Sequence, residues 1–524
     1  MKNVMATIFF SLSKCTRVKN WSGFLFCCVP LLIFLSVIFV LHLNPFHWVP
    51  LWSDEVWWYS QIDAVVKYGR PLGFVGCNEA HAPIGTFGFW GGAIIYAMAF
   101  FGKVFGWHHW SPLFMNVFYM TLANIVFFVL SRPKGKVALR LALLNCVLFV
   151  NIQYMFTSMS ECTKFSMAIV LSGIFYFLLN EENRKRKSYL LVLGLIAPIA
   201  LIFFANCYIM FSFLFPVYGY VLLKYWNPKK YHILMSILLC ILMPILATFC
   251  CMLVLQNTAA PYPGTFQGLF NQSNIFDFFK TLLHTVVDNY RSANISFILN
   301  NSKRDAGWIS SFLLSYYFLL GVVLFNLAAK LKQRKDIHPL DLLIAYALLI
   351  FIGGFLSLYT TKSSWNYIRG LNVALVFSMY IVCLLEWPKI TCILFCIAFM
   401  QFLPFITMLR EGTWLRLRPQ SWYGGGYEMF ERYSTVFSDK MQVSQTADNW
   451  ENTYALYGRI YNFYCMVPAG LGQNNIFNGQ PVSNPRYIIT DKTTKLEFNE
   501  YRNIYEDETI SIYEKNHSRR EAEK

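Results

Sequence analysis

Apolar residues fill this chain in long blocks up to Leu409, separated by short polar stretches, and thin out beyond it. A helix of about 20 residues rises about 30 Å, the thickness of a bilayer's hydrocarbon core. The pattern therefore predicts a polytopic α-helical membrane protein with about eleven spans, at 23–42, 112–131, 137–157, 161–180, 189–205, 208–225, 232–255, 309–331, 341–360, 370–386 and 389–408. The first block is too long for the apolar region of a signal peptide. It runs on into Asn44-Pro45-Phe46 with no small-residue cleavage site, so it is read as an uncleaved span. Another apolar stretch, 84–106, carries Gly85, Gly88, Gly91, Gly92, Gly102 and Lys103, which suits an interfacial or re-entrant piece better than a crossing.

Charge then sets the sidedness. Lys2, Lys14, Arg17 and Lys19 precede the first span. Later basic clusters follow at Arg132 to Arg140, Arg184 to Lys187, Lys229-Lys230 and Lys330 to Lys335. All of them fall on one side when 84–106 does not cross, and positive residues mark the cytoplasmic side. The N-terminus is then inside. The first loop (43–111) is outside, with juxtamembrane helices, and so is a long loop at 256–308. The chain divides into a membrane domain, 1–409, and a polar C-terminal domain, 410–524, outside the cytoplasm. The runs Tyr487-Ile488-Ile489 and Ile510-Ser511-Ile512-Tyr513 predict strands in a small α/β fold.

Composition agrees. The chain is 56% hydrophobic and 14% charged, well below the roughly 25% charge of a soluble domain. The net charge of +16 could suggest nucleic acid, but the basic residues concentrate in loops between spans, where they determine topology. Most of the 14 cysteines lie within apolar runs and are expected to pack as small hydrophobes. Cys77 and Cys465 fall on the outer side, where a disulfide between them is chemically allowed. Asn271, Asn294 and Asn300 open N-x-S/T triplets that matter only in a secretory-pathway host.

Four polar segments on the outer side could carry chemistry. Asp54 and Glu55 follow the first span among Trp52, Trp57 and Trp58; a carboxylate there can take a proton from a hydroxyl or hold a cation against a lipid phosphate. His81, in Glu79-Ala80-His81-Ala82-Pro83-Ile84, could meet a phosphate oxygen or could simply shape a turn. Glu161 begins the fourth long span, where Ser160 can cap the helix, the helix dipole suits the acid, and Lys164 can pair with it one turn on. Lys362 and Arg369 frame Trp365 and Tyr367 in the loop 361–369. Arg369 suits a phosphate clamp or headgroup snorkelling. Arg291, beside Tyr290, is a weaker phosphate candidate.

Taken in order, these segments resemble the GT-C superfamily of membrane glycosyltransferases, most closely the branch of protein O-mannosyltransferases and lipid A aminoarabinose transferases. Asp54-Glu55 matches that family's acidic motif after the first span. His81-Ala82-Pro83-Ile84 fits its basic-Pro-Pro motif, with Ala82 in place of the first proline. Glu161 matches a second outer acid, and Tyr367 with Arg369 a late basic-aromatic patch. The resemblance implies transfer of a sugar from a polyprenyl-phosphate donor to a glycan, lipid or protein acceptor on the outer face of a bacterial plasma membrane. Asp54 would be the general base, and Glu55 or Glu161 would orient the acceptor. His81, Lys164, Tyr367, Arg369 and Arg291 would steady the departing phosphate. If a divalent metal ion takes part, Asp54 and Glu161 would hold it. Membrane lipid is an expected partner and nucleic acid is not. The competing readings are a lipid-linked glycan flippase, an O-antigen-ligase-like enzyme using His284, Arg291 and Arg304 of the long loop, and an inactive scaffold.

Overall fold

A computed structural model describes residues 21–48, part of 58–69, 94–179, 274–291, 306–335, 337–358, most of 364–411, and short strands between 443 and 516. The spans expected at 189–205, 208–225 and 232–255, and the pair Cys77 and Cys465, lie outside the described residues. The helices are α1 (Trp21–Val40), α2 (Ile94–Phe105), α3 (Ser111–Ser131), α4 (Gly135–Val147), α5 (Phe149–Met155), α6 (Glu161–Leu179), α7 (Ile275–Tyr290), α8 (Ala306–Lys332), α9 (Pro339–Leu358), α10 (Ser364–Leu384) and α11 (Ile390–Glu411). Among the described residues, α1, α3 and 311–332 of α8 are long and apolar enough to cross a membrane. They expose large apolar side chains such as Phe39 and Phe325, which water would not tolerate in this density. The chain is an integral membrane protein.

Contacts between side chains relate the directions of the long helices. Phe26 of α1 packs on Phe127 of α3, and Phe34 on Phe114, so these two run antiparallel. Gly173 of α6 sits against Phe127, while the turn leading into α6 meets Asn116, so α3 and α6 run parallel. Phe377 of α10 packs on Phe175, and Asn372 reaches back to Asn151 of α5. Tyr316 of α8 donates to the Leu348 carbonyl of α9 at 2.8 Å, and Gln401 of α11 donates to Ser315 at 3.0 Å. The starts of α3, α6, α8 and α10 therefore share one end of the bundle. Arg132, Lys134, Lys136, Lys330 to Lys335 and Lys389 share the other. Among the described residues, the basic clusters that follow α3 and α8 lie at one end, whereas Lys280 and Arg291 belong to the segment 256–308.

Three details depart from expectation. The span predicted at 137–157 is two helices, α4 and α5, meeting at Leu148, whose ψ of 82° breaks the helical run. The last late hairpin begins earlier than expected. α10 starts at Ser364, so Tyr367 and Arg369 belong to a helix rather than to a loop 361–369. The long loop 256–308 contains the amphipathic α7, started by Asn274, whose Oδ1 accepts from the Asp277 backbone N–H at 2.8 Å.

Within 84–106, the described helix α2 has twelve residues and rises about 18 Å, short of a bilayer core. It lies against α3, where the Tyr119 hydroxyl donates to the Ala97 carbonyl. In the polar C-terminal region, β1 (Val443–Thr446) pairs parallel with β4 (Tyr487–Asp491). β6 (Ile510–Lys515) joins β4 and β5 (Tyr501–Glu506), both antiparallel, and β2 (Ile476–Phe477) pairs with β3 (Gln480–Pro481). Both strands read from the sequence are present.

Candidate functional site

The site is built where α5 turns into α6. The turn is held from three directions. Thr157 donates its hydroxyl to the Tyr154 carbonyl at 3.0 Å and accepts from the Met159 N–H at 3.3 Å. The Asn116 side-chain amide, from α3, lies 2.7 Å from the Thr157 carbonyl, 3.1 Å from that of Met155 and 3.3 Å from that of Tyr154. A buried asparagine between two helices can satisfy turn carbonyls that lipid could not.

This turn delivers Glu161 as the first residue of α6, with its carboxylate at the positive end of the helix. Glu161 is only 4% exposed. Lys164 Nζ stands 3.7 Å from Glu161 Oε1, one turn along the same helix, so the expected pair forms. A buried carboxylate needs such a cation, because losing it would leave an uncompensated buried charge.

The expected cap by the Ser160 hydroxyl is not made. The Ser160 carbonyl accepts the Lys164 N–H at 3.0 Å, but its hydroxyl lies buried without a hydrogen-bond partner among the described residues. Thr163 Oγ1, Asn151 Nδ2 and Gln153 Oε1 are in the same condition. Buried polar atoms ordinarily find a partner, so their concentration within thirteen residues of chain marks a place suited to a polar ligand or to water.

α10 forms the next wall. Asn372 donates to Asn151 Oδ1 at 2.8 Å. The backbone positions of Arg369 and Tyr367 lie three and five residues before Asn372, in the first turns of α10. Asp54, Glu55 and His81 lie outside the described residues, but both flanks of the Asp54-Glu55 segment are anchored. Trp48 and Trp58 are buried. Upstream, Phe46 packs on Trp110 and Phe114 with ring centres 5.2 and 5.9 Å apart, and its carbonyl lies 2.8 Å from His109 Nε2. Downstream, Tyr59 stacks on Trp107 at 5.3 Å. A Cβ on Gly102 of α2 would come within 2.8 Å of Val66, so that position has room only for glycine unless Val66 moves. Phe34 stacks on Phe156 at 5.5 Å and links α1 to the Glu161 turn. Arg291 is exposed just after α7, where a cation also suits the negative end of the helix.

Sequence reading did not single out Asn116, Asn151, Gln153 or Asn372. Their signal is an amide inside an apolar run, the same rarity that marks intramembrane charges. Among the described residues no three His, Cys, Asp or Glu side chains converge as a metal site.

No family model and no curated protein matches this chain. Solved structures do. ArnT from Cupriavidus metallidurans, bound to undecaprenyl phosphate, superposes with a TM-score of 0.50 at 10% identity over 93% of this chain and 98% of that one. Apo ArnT from the same organism gives 0.33 at 9% identity, over 92% and 97% of the two chains. The apo oligosaccharyltransferase of Archaeoglobus fulgidus gives 0.44 at 12% identity, over 90% of this chain and 70% of that one.

Proposed function

We propose, from a GT-C fold shared with ArnT and from the polar groups gathered at one end of the helices, that this protein is a glycosyltransferase using a lipid-phosphate sugar donor. The ArnT structure holds undecaprenyl phosphate, which supports a polyprenyl-phosphate donor here. The acceptor is a hydroxyl on a glycan, lipid or protein. In the reaction the acceptor oxygen attacks the anomeric carbon while the bond from that carbon to the phosphate oxygen breaks. Asp54 takes the hydroxyl proton, and the lipid phosphate leaves carrying the electron pair of the broken bond. Glu55 or Glu161 orients the acceptor. Lys164, Arg369, Tyr367, His81 and Arg291 are the groups to neutralise the phosphate as charge builds on it. A divalent ion, where one takes part, would be held by Asp54 and Glu161. The membrane is the bacterial plasma membrane, with the basic loops inside and 410–524 outside.

The observation that carries this reading is the buried Glu161–Lys164 pair set among buried polar atoms. A lipid-linked glycan transporter would need ionisable groups near mid-span. Among the described spans, the buried acids Glu161 and Asp341 instead lie in the first turns of their helices. The test is deletion of the gene in its host, with surface glycans read by mass spectrometry, and return of the wild type or Asp54→Asn. Loss of one sugar, restored by the wild type but not by a normally expressed Asp54→Asn, is the expected result. Full restoration by Asp54→Asn would remove Asp54 as the base and favour the transporter.

A further inference from the structure

α7 has two unlike faces. Phe278, Thr281, Leu282, Thr285, Val286 and Asn289 are half-buried or buried, and the helix packs on α9. Bordering that face, Phe276 is 75% exposed, Phe279 59%, Leu283 65%, Val287 38% and Tyr290 40%. Their spacing of three, four, four and three residues draws one continuous stripe along the helix. Lys280 and His284, four residues apart, form an exposed row directly beside that stripe, with Asp277 and Asp288 beyond them.

This order of packed face, apolar stripe and polar row is the cross-section of a helix lying in a membrane interface. A contiguous apolar stripe with three aromatic rings is seldom left to water. The surroundings name the occupant. α9, on which α7 packs, exposes Leu349, and its neighbour α8 exposes Leu314, Leu324 and Phe325, apolar surface that in a membrane protein is turned to lipid. Lys280 stands where a long basic side chain can follow the apolar surface and bring its ammonium to a phosphate.

We infer that α7 is an in-plane anchor. Its Phe276–Phe279–Leu283–Val287–Tyr290 stripe rests in the acyl chains of phospholipids, and Lys280 and His284 meet their headgroup phosphates. In the topology set by the basic loops this is the outer leaflet. The inference does not rest on the transferase reading.

The test uses the full-length protein in nanodiscs containing phosphatidylglycerol with a diazirine on its acyl chain, followed by illumination and peptide mapping. Adducts on the α7 stripe at a yield comparable to the exposed face of α8, lost on Phe279→Glu/Leu283→Glu while α8 labelling is unchanged, are the expected result. Labelling of α8 without α7 would overturn it. So would cross-links joining α7 to a second copy. Labelling of α7 by a diazirine polyprenyl phosphate, but not by the phospholipid, would also overturn it and make the stripe a groove for the donor's tail.

Discussion

Asn372 donates its side-chain amide to Asn151 Oδ1 at 2.8 Å, joining residues 221 positions apart in the chain. The bond ties α10, whose first turns carry Tyr367 and Arg369, to α5, which leads into the Glu161 turn. It sits in a buried setting where neither amide can turn to water. Asn372→Ala should lower stability by about 1 kcal/mol, the usual size of an interhelical hydrogen bond in a membrane protein. Transfer should suffer more than stability, because the two walls of the site lose their register. Thermal unfolding in detergent, run beside a sugar-transfer assay with a polyprenyl-phosphate donor, separates the two effects. Unchanged kinetics with lowered stability would make the bond purely structural.

Glu161 and Lys164 should act as a unit. Glu161→Gln removes the charge while keeping the shape, and transfer should fall by roughly 10²-fold, the cost that a misplaced acceptor can reach. Lys164→Met should reduce kcat/KM by a similar order if its ammonium meets the leaving phosphate. The double variant should lose less than the product of the single losses, because each residue holds the other at 3.7 Å. Strict additivity in this cycle would show that the two carry separate tasks.

Much of this architecture is written locally, and the site less so. Sidedness was read from basic loops one by one, and the contacts Phe34–Phe114, Gly173–Phe127 and Gln401–Ser315 give the directions of the helices relative to one another. The start of α6 was legible to the residue, since an acid suits the positive end of a helix, although the Ser160 cap is not made. The start of α10 was not, because Lys362 and Arg369 look like loop residues although Ser364 already begins the helix. α7 hid in a segment read as a loop between spans, yet its period and the Asn274–Asp277 cap are both present in the sequence. The break at Leu148 has no glycine or proline to signal it. The bonds from Asn116 to the Glu161 turn and from Asn372 to Asn151 depend on which face of each helix turns inward, and one sequence does not reveal that.

At the opposite end, Lys330 forms an ion pair with Asp341, and Trp387 Nε1 donates to Asp341 Oδ1 at 2.9 Å. One fully buried carboxylate thus joins the end of α8, the start of α9 and the approach to α11. Lys330→Met leaves that carboxylate buried without its cation. The loss should approach about 3 kcal/mol, the low end for breaking a buried pair, since the Lys330 side chain is 24% exposed. Adding Asp341→Asn should recover part of it, because the uncompensated charge is removed and an amide can still accept from Trp387. Unfolding midpoints of the two variants check this; an equal loss in both would mean that packing, not charge, dominates.

Gly173 offers the sharpest test of packing between α3 and α6. A Cβ placed there would meet Phe127 Cα and Cδ2 at 3.2 Å each and Leu130 Cδ1 at 3.5 Å. Phe127 has little room to retreat, since its ring already packs on Tyr380 at 4.9 Å and on Phe26 at 5.9 Å. The Tyr380 hydroxyl in turn lies 2.9 Å from Asn124 Oδ1 and 2.8 Å from Asn145 Oδ1, so a displaced ring would disturb a buried polar network as well. Gly173→Val should therefore destabilise by about 1–3 kcal/mol, the usual penalty of overpacking. Gly321 supplies the control. It lies inside α8 with nothing within 4 Å of an added Cβ, so alanine there should stabilise by up to about 1 kcal/mol through restriction of the unfolded chain. Unfolding in a fixed detergent decides between them. A tolerated Gly173→Val would mean that α3 and α6 can separate without cost, and the parallel contact that sets the Glu161 turn against Asn116 would lose its support.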